Sequence, residues 1–164
     1  MQGVWEGFVL DLDRWAESVD KEIRQEQESR ASVREEFIIR RKLIEGHAIR
    51  LWNELIDEFR ARCDAFNSLK GHPVIVFDQS GVYSFTVRRD GGIDTLTGTY
   101  DPVTNFIGVT ARSCRLYESY QPQVIASGDG QVVLASKNDR SYACSEIAEN
   151  CLGPFIKSCL RANI

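Results

Sequence analysis

Over the first seventy positions the apolar residues recur in three- and four-residue steps, and from position 74 they alternate with polar ones. That change of period divides the chain into a helical part and a sheet part. Trp5, Phe8, Leu12, Trp15, Val19 and Ile23 fall on one side of a first helix. A polar stretch, Gln25 to Ser32, follows. Ser32 with Glu35 three positions later has capping-box spacing, in which each side chain satisfies a backbone amide, so it predicts a break and a fresh helix start. The result is a helical hairpin with Trp5–Ile23 packed beside Phe37–Phe59. Its rival is a continuous rod in a dimer: Gln, Glu and Arg are good helix formers, no Gly or Pro marks a turn, and the apolar phase is nearly kept across the gap.

The next helix carries Val33, Phe37, Ile44, Ala48, Leu51, Leu55, Phe59, Phe66 and Leu69 as its central stripe. Ile38, Trp52, Ile56 and Cys63 widen that stripe beyond about 100°, too broad for a single two-stranded seam and wide enough to need more than one neighbour. Gly71 is placed to stop the helix, and Pro73 prevents its continuation.

Beyond Pro73 the apolar run "PVIVF" is followed by a turn signal, "DQSG". In "VYSFTVR", Tyr83, Phe85 and Val87 face one way and Ser84, Thr86 and Arg88 the other, as on a half-buried strand. "RDGG" is a hairpin turn, "IDTLTGTY" a Thr-rich strand, and "DPVTN" the turn that closes it. "FIGVTAR" and "CRLYESY" are the next strands, "QPQ" suggests a break, and "VIAS", "GDG" and "QVVLAS" make a further hairpin. Helical spacing returns near Ser141, with a kink or break expected at Gly153–Pro154 because proline clashes with the carbonyl four residues back. The fold class is therefore α+β: long N-terminal helices, an antiparallel meander of five to seven strands, and a kinked C-terminal helix. Residues 1–70 form a helical arm and 71–164 the antiparallel sheet with its C-terminal helix, expected to pack with the arm as one compact unit.

Composition adds boundaries to that picture. The chain has 164 residues, 43% of them hydrophobic and 27% charged, enough for a folded core. A net charge of −4 argues against a nucleic-acid partner, since phosphate binding draws on clustered Lys and Arg. No apolar run approaches the ~18 residues of a membrane span. The N-terminus carries acids where a secretory signal has basic residues, and five cysteines, an odd count, suggest free thiols; both point to a cytoplasmic protein.

Candidate chemistry is sparse. Cys144, Ile147, Ala148, Cys151, Phe155 and Cys159 share one helix face, and no pair has CxxC-like spacing, so core packing is favoured over a redox thiol or a metal site. His47 and His72 have no partner motif, "GDG" and "DGG" lack the context of a phosphate loop, and "RRK" at Arg40–Lys42 is spread around its helix and diluted by nearby glutamates. No catalytic residue, cofactor-binding residue or metal ligand can be named. An enzyme is the least supported class.

Two functional readings remain. In the first the chain is a non-catalytic interaction, scaffold or regulatory module, meeting a protein partner or a second copy through its helical arm. Ile44, Leu51, Trp52, Leu55 and Phe59 are the expected contact residues. In the second, the small and polar residues of "TLTGT" and "IGVTA" leave room for a small apolar ligand between sheet and helix.

Overall fold

The structure, a computed structural model, describes residues 3–124 and 131–161, with the backbone alone for residues 3–8 and 10. The side chains of Trp5 and Phe8 and the "GDG" turn lie outside the described residues. The order of elements is α1 (Gly3–Lys70), β1 (Ile75–Gly81), β2 (Ser84–Arg89), β3 (Thr95–Asp101), β4 (Phe106–Ala111), β5 (Leu116–Val124), β6 (Val132–Ser136), β7 (Ser141–Tyr142) and α2 (Cys144–Arg161). The chain is thus α+β; among the described residues all seven strands lie in one antiparallel sheet whose spatial order is the chain order.

The break expected between Gln25 and Ser32 does not occur. Residues 25–32 are helical throughout, so the turn required by a hairpin is missing and Ser32 is a helix-interior residue. The physical reason is the composition of the stretch, which is rich in good helix formers. Ion pairs one turn apart add to it: Asp20 with Arg24 at 2.8 Å and Glu26 with Arg30 at 3.9 Å. One capping signal does not outweigh an uninterrupted run of such residues. The stop at Gly71 does occur: α1 ends at Lys70, Gly71 has φ 74°, and its amide donates to the Ser68 carbonyl at 3.2 Å.

Two compact units divide at Arg41/Lys42 rather than at 70/71. Unit 1, Met1–Arg41, is helical over its described residues. Unit 2, Lys42–Ile164, contains the end of α1, the sheet and α2. The boundary lies upstream of position 70 because Ala48, Trp52, Leu55, Phe59 and Cys63 are core residues of unit 2.

That core is built on one face of the sheet. Phe85 and Val87 on β2, Leu96 and Tyr100 on β3, and Ile107 and Val109 on β4 meet the C-terminal part of α1 and the inner face of α2. Phe85 is the hub: its ring centroid lies 4.7 Å from that of Phe59, 5.6 Å from Trp52 and 5.5 Å from Phe77. Gly98, opposite Phe85 in register, makes the hub possible, since a Cβ there would lie 2.2 Å from Phe85 Cε1. Asn67 organises the passage from helix to sheet: its Oδ1 accepts from the amides of Val74 and Ile75 at 2.8 and 3.1 Å, and its Nδ2 donates to the Ile75 carbonyl at 2.7 Å.

Four local expectations differ from the structure. "DQSG" is not a turn; its residues belong to β1, with an irregular register between Asp78 and Gly81, and the turn falls at Val82–Tyr83. β5 runs through Pro122 without a break. The pairing of β4 with β5 stops at Tyr120, so Pro122 has a strand neighbour only in β6 and can leave the place of its missing N–H on the open side. Ser141 and Tyr142, where helical spacing is expected to return, instead form β7, and α2 begins at Cys144. Within α2 the exposed Pro154 does not break the helix. The hydrogen bond it removes is on the solvent side, while Ile147, Cys151, Phe155 and Cys159 hold the opposite side in the core.

Candidate interaction surface

The five residues expected to meet a partner occupy one stretch of α1, and the chain covers them itself. Trp52, Leu55 and Phe59 have no exposed surface, Leu51 is buried, and Ile44 packs against the edge of the same core. Trp52 also has its polar atom satisfied: the indole Nε1 donates to the Val82 carbonyl at 2.8 Å, tying the β1–β2 turn to the helix. The Cys144 thiol reaches the Leu51 carbonyl at 3.6 Å, and Arg62 bridges Glu58 and Glu149, the latter at 2.9 Å, so α2 is pinned to the same helix by polar contacts. The width of this part of the stripe is thus explained by two neighbours, the sheet and α2.

The large apolar residues left uncovered on α1 are mostly in unit 1. Trp15, Val33 and Phe37 are about two-thirds exposed, Leu12 and Ile23 about half, and Val9, Ile38 and Ile39 are exposed as well. Leu12, Trp15, Ile23, Val33 and Phe37, together with the half-buried Val19, fall within an arc of about 80° at 100° per residue. Scattered exposed apolar residues are ordinary on a protein surface; six aligned on one helix side are a patch. Periodicity locates these positions and points to packing inside a hairpin, which the unbroken helix does not provide. The signal that sets them apart is their polar flanking sequence, with charges at Asp11, Asp13, Arg14 and Glu17 around Leu12 and Trp15.

The thiols are interior groups. All five cysteines are unpaired; Cys63, Cys151 and Cys159 are buried, and Cys114 and Cys144 half-buried. Burial pushes the Cys63 and Cys151 thiols up to about 12 and that of Cys144 to about 11, and it raises Cys159 as well. A thiol so shifted carries little thiolate near neutral pH and is a poor nucleophile or metal ligand. The cysteine face of α2 is the inside of a helix.

Other groups singled out from sequence sit apart from one another. His47 is half-buried on α1, and His72 donates from Nδ1 to the Lys70 carbonyl at 3.0 Å. Arg40 is paired with Glu36 at 3.1 Å, and Arg89 donates to the Cys159 carbonyl at 3.4 Å. "DGG" is a turn, with Gly91 at φ 68° and the Gly92 amide donating to the Arg89 carbonyl at 3.1 Å. Among the described residues no three or more His, Cys, Asp or Glu side chains cluster as a metal site would require, and no helix is long and apolar enough to cross a membrane.

The small residues that suggested a ligand cleft point mainly the wrong way. Thr95, Thr97 and Thr99 on β3 and Gly108 and Thr110 on β4 lie on the face opposite Leu96, Tyr100, Ile107 and Val109. Two open concavities lined by described residues lie elsewhere. One, of about 250 Å³, includes Phe106, Tyr120, Gln123 and Asp139; the other, of about 420 Å³, includes Lys70, His72, Arg89 and Asp90. Both are lined by polar and apolar side chains together, unlike a pocket shaped for an apolar ligand. Comparison with known proteins adds no guide to either surface, since no family, curated protein or solved structure matches this chain.

Proposed function

We propose that this protein is a non-catalytic interaction module that self-associates through the helix of unit 1. One observation carries the reading: the row of exposed apolar residues at Leu12, Trp15, Ile23, Val33 and Phe37 on one side of that helix. Bringing such a row out of water is worth roughly 25 cal/mol per Å² of apolar surface. An isolated helix draws little of its stability from propensity alone, so a helix with an apolar side gains most from a second helix laid along it. A second copy of the chain always supplies that helix, with the same pattern.

Sedimentation equilibrium of the full chain tests this, with Trp15→Glu/Phe37→Glu as the control variant. The expected result is a dimer at tens of micromolar for the unmodified chain and a monomer for the variant, with unit 2 still folded. A monomer in both cases sinks self-association.

A further inference from the structure

We infer that the unit 1 helices of two copies pair antiparallel, about a two-fold axis passing near Glu28. This rests on the self-association reading and adds to it a direction and a register. The argument comes from the order of residues along one side of the helix. Val19, Ile23, Glu26, Arg30, Val33 and Phe37 lie within an arc of about 80°. Their spacings are four, three, four, three and four residues, a series that is the same read in either direction.

Laying a second copy antiparallel with its residue 28 level with the first sets Val19 opposite Phe37, Ile23 opposite Val33 and Glu26 opposite Arg30. Two-fold symmetry repeats each pair. Apolar side chains then meet apolar ones on both sides of a centre where each acid meets a base. A parallel pair in register sets Glu26 against Glu26 and Arg30 against Arg30, placing like charges in the seam. Charged residues inside an otherwise apolar seam lower its stability and select the register in which they are matched. Only the antiparallel register at this centre matches them while pairing Val19 with Phe37 and Ile23 with Val33; Trp15 then lies level with Arg41 at the end of the overlap.

Within one copy the Glu26–Arg30 contact is long, 3.9 Å, and the two side chains are 73% and 85% exposed, so both are available to re-pair across the seam. Beside the seam, Asp20 comes near Arg34 and Glu22 near Glu36, one favourable and one unfavourable combination at exposed positions. The flanks therefore leave the choice to the seam. Residues 15–41 of the two copies overlap over about 40 Å of helix at 1.5 Å per residue, long enough for two helices to hold together.

The test uses the full chain carrying Ile23→Cys or Val33→Cys, each alone and then mixed one to one, with a short bismaleimide as the crosslinker. The native thiols are buried or half-buried, and the unmodified chain supplies their background. Antiparallel pairing predicts several-fold more covalent dimer in the mixture than in either variant alone, joined between positions 23 and 33 by mass spectrometry. Either variant crosslinking alone as well as the mixture overturns it in favour of a parallel pair. A dimer in sedimentation that gives no 23–33 product overturns the register while leaving self-association standing. A monomeric unmodified chain overturns both.

Discussion

Residues 12–37 and residues 44–63 of α1 carry apolar side chains at similar helical spacing, yet their surroundings are opposite. In the second segment Trp52, Leu55 and Phe59 are fully buried under the sheet and α2. In the first, Trp15, Val33 and Phe37 remain about two-thirds exposed. Periodicity states which side of a helix is apolar, and it is silent on what covers that side. The difference is in breadth: the buried segment adds Ile56 and Cys63 around Leu55 and Phe59, whereas the exposed segment is a narrower row bordered by charge.

The comparison breaks most sharply at one substitution. Leu55→Asp places a carboxylate among apolar side chains where no solvent reaches, and it should cost unit 2 roughly 4 kcal/mol or more. Trp15→Asp, a larger change in side-chain volume, should leave the melting of unit 2 unaltered because Trp15 is 66% exposed. Thermal melts followed by near-ultraviolet circular dichroism measure both, and equal losses would show that the two segments are not different in kind.

The same contrast explains what is legible in the sequence. The antiparallel meander from β1 to β6, the end of α1 at Lys70 and the inner face of α2 follow from local signals: alternation in strands, Gly71 with Pro73, and cysteines at helical spacing. What is illegible depends on partners distant in sequence. Nothing near Leu51 or Trp52 says that the sheet and α2 cover them, so the local pattern alone reads as a contact surface. Nothing near Pro122 says that the pairing with β4 has ended before it, so a continuous strand reads as a break. At Ser32 a genuine capping pattern loses to its neighbours' helix propensity.

A second substitution sharpens the account of how the buried segment is covered. Gly98→Ala adds a methyl group 2.2 Å from the Phe85 ring, between two paired strands with no room to part. Either the ring leaves its place against Trp52 and Phe59 or the strands separate. The expected loss is about 3 kcal/mol, at the upper end for overpacking. Gly108→Ala, on the opposite face of the sheet with only ordinary contacts around it, is the control and should lose much less. Urea midpoints of the two variants decide the point.

The thiols give a difference in pH response. All five cysteines belong to unit 2, and the buried thiols of Cys63 and Cys151 are raised to about 12 by loss of hydration. Their ordinary value is near 9, so between pH 9 and 12 the unfolded chain loses these protons while the folded chain keeps them. The folded state then binds more protons than the unfolded, and stability falls as pH rises through that window. It is fully present below pH 9. At pH 10 the loss should be about 1.4 kcal/mol for each of the two thiols. Denaturant midpoints at pH 8 and 10 measure it, and Cys63→Ala/Cys151→Ala should reduce the dependence to the part that the raised thiols of Cys144 and Cys159 still contribute.

The smallest effect concerns the exposed segment alone. Glu26→Arg leaves every buried contact of unit 2 untouched and so should not move its melting temperature. In the antiparallel seam the introduced guanidinium faces Arg30 of the other copy, twice by symmetry, which should weaken dimerisation by about three- to tenfold, or roughly 1 kcal/mol. It also removes the Glu26–Arg30 pair within each helix, worth about 0.3 kcal/mol, and that loss must be separated from the first. Concentration separates them: loss of the pair within one helix lowers helicity equally at all dilutions, whereas repulsion across the seam acts only where dimer forms. The doubly exchanged variant Glu26→Arg/Arg30→Glu matches opposite charges again across an antiparallel seam and should regain most of the lost affinity in sedimentation equilibrium. A parallel dimer already has like charges at both positions, so neither variant should change its affinity appreciably, and that outcome would reverse the assigned direction.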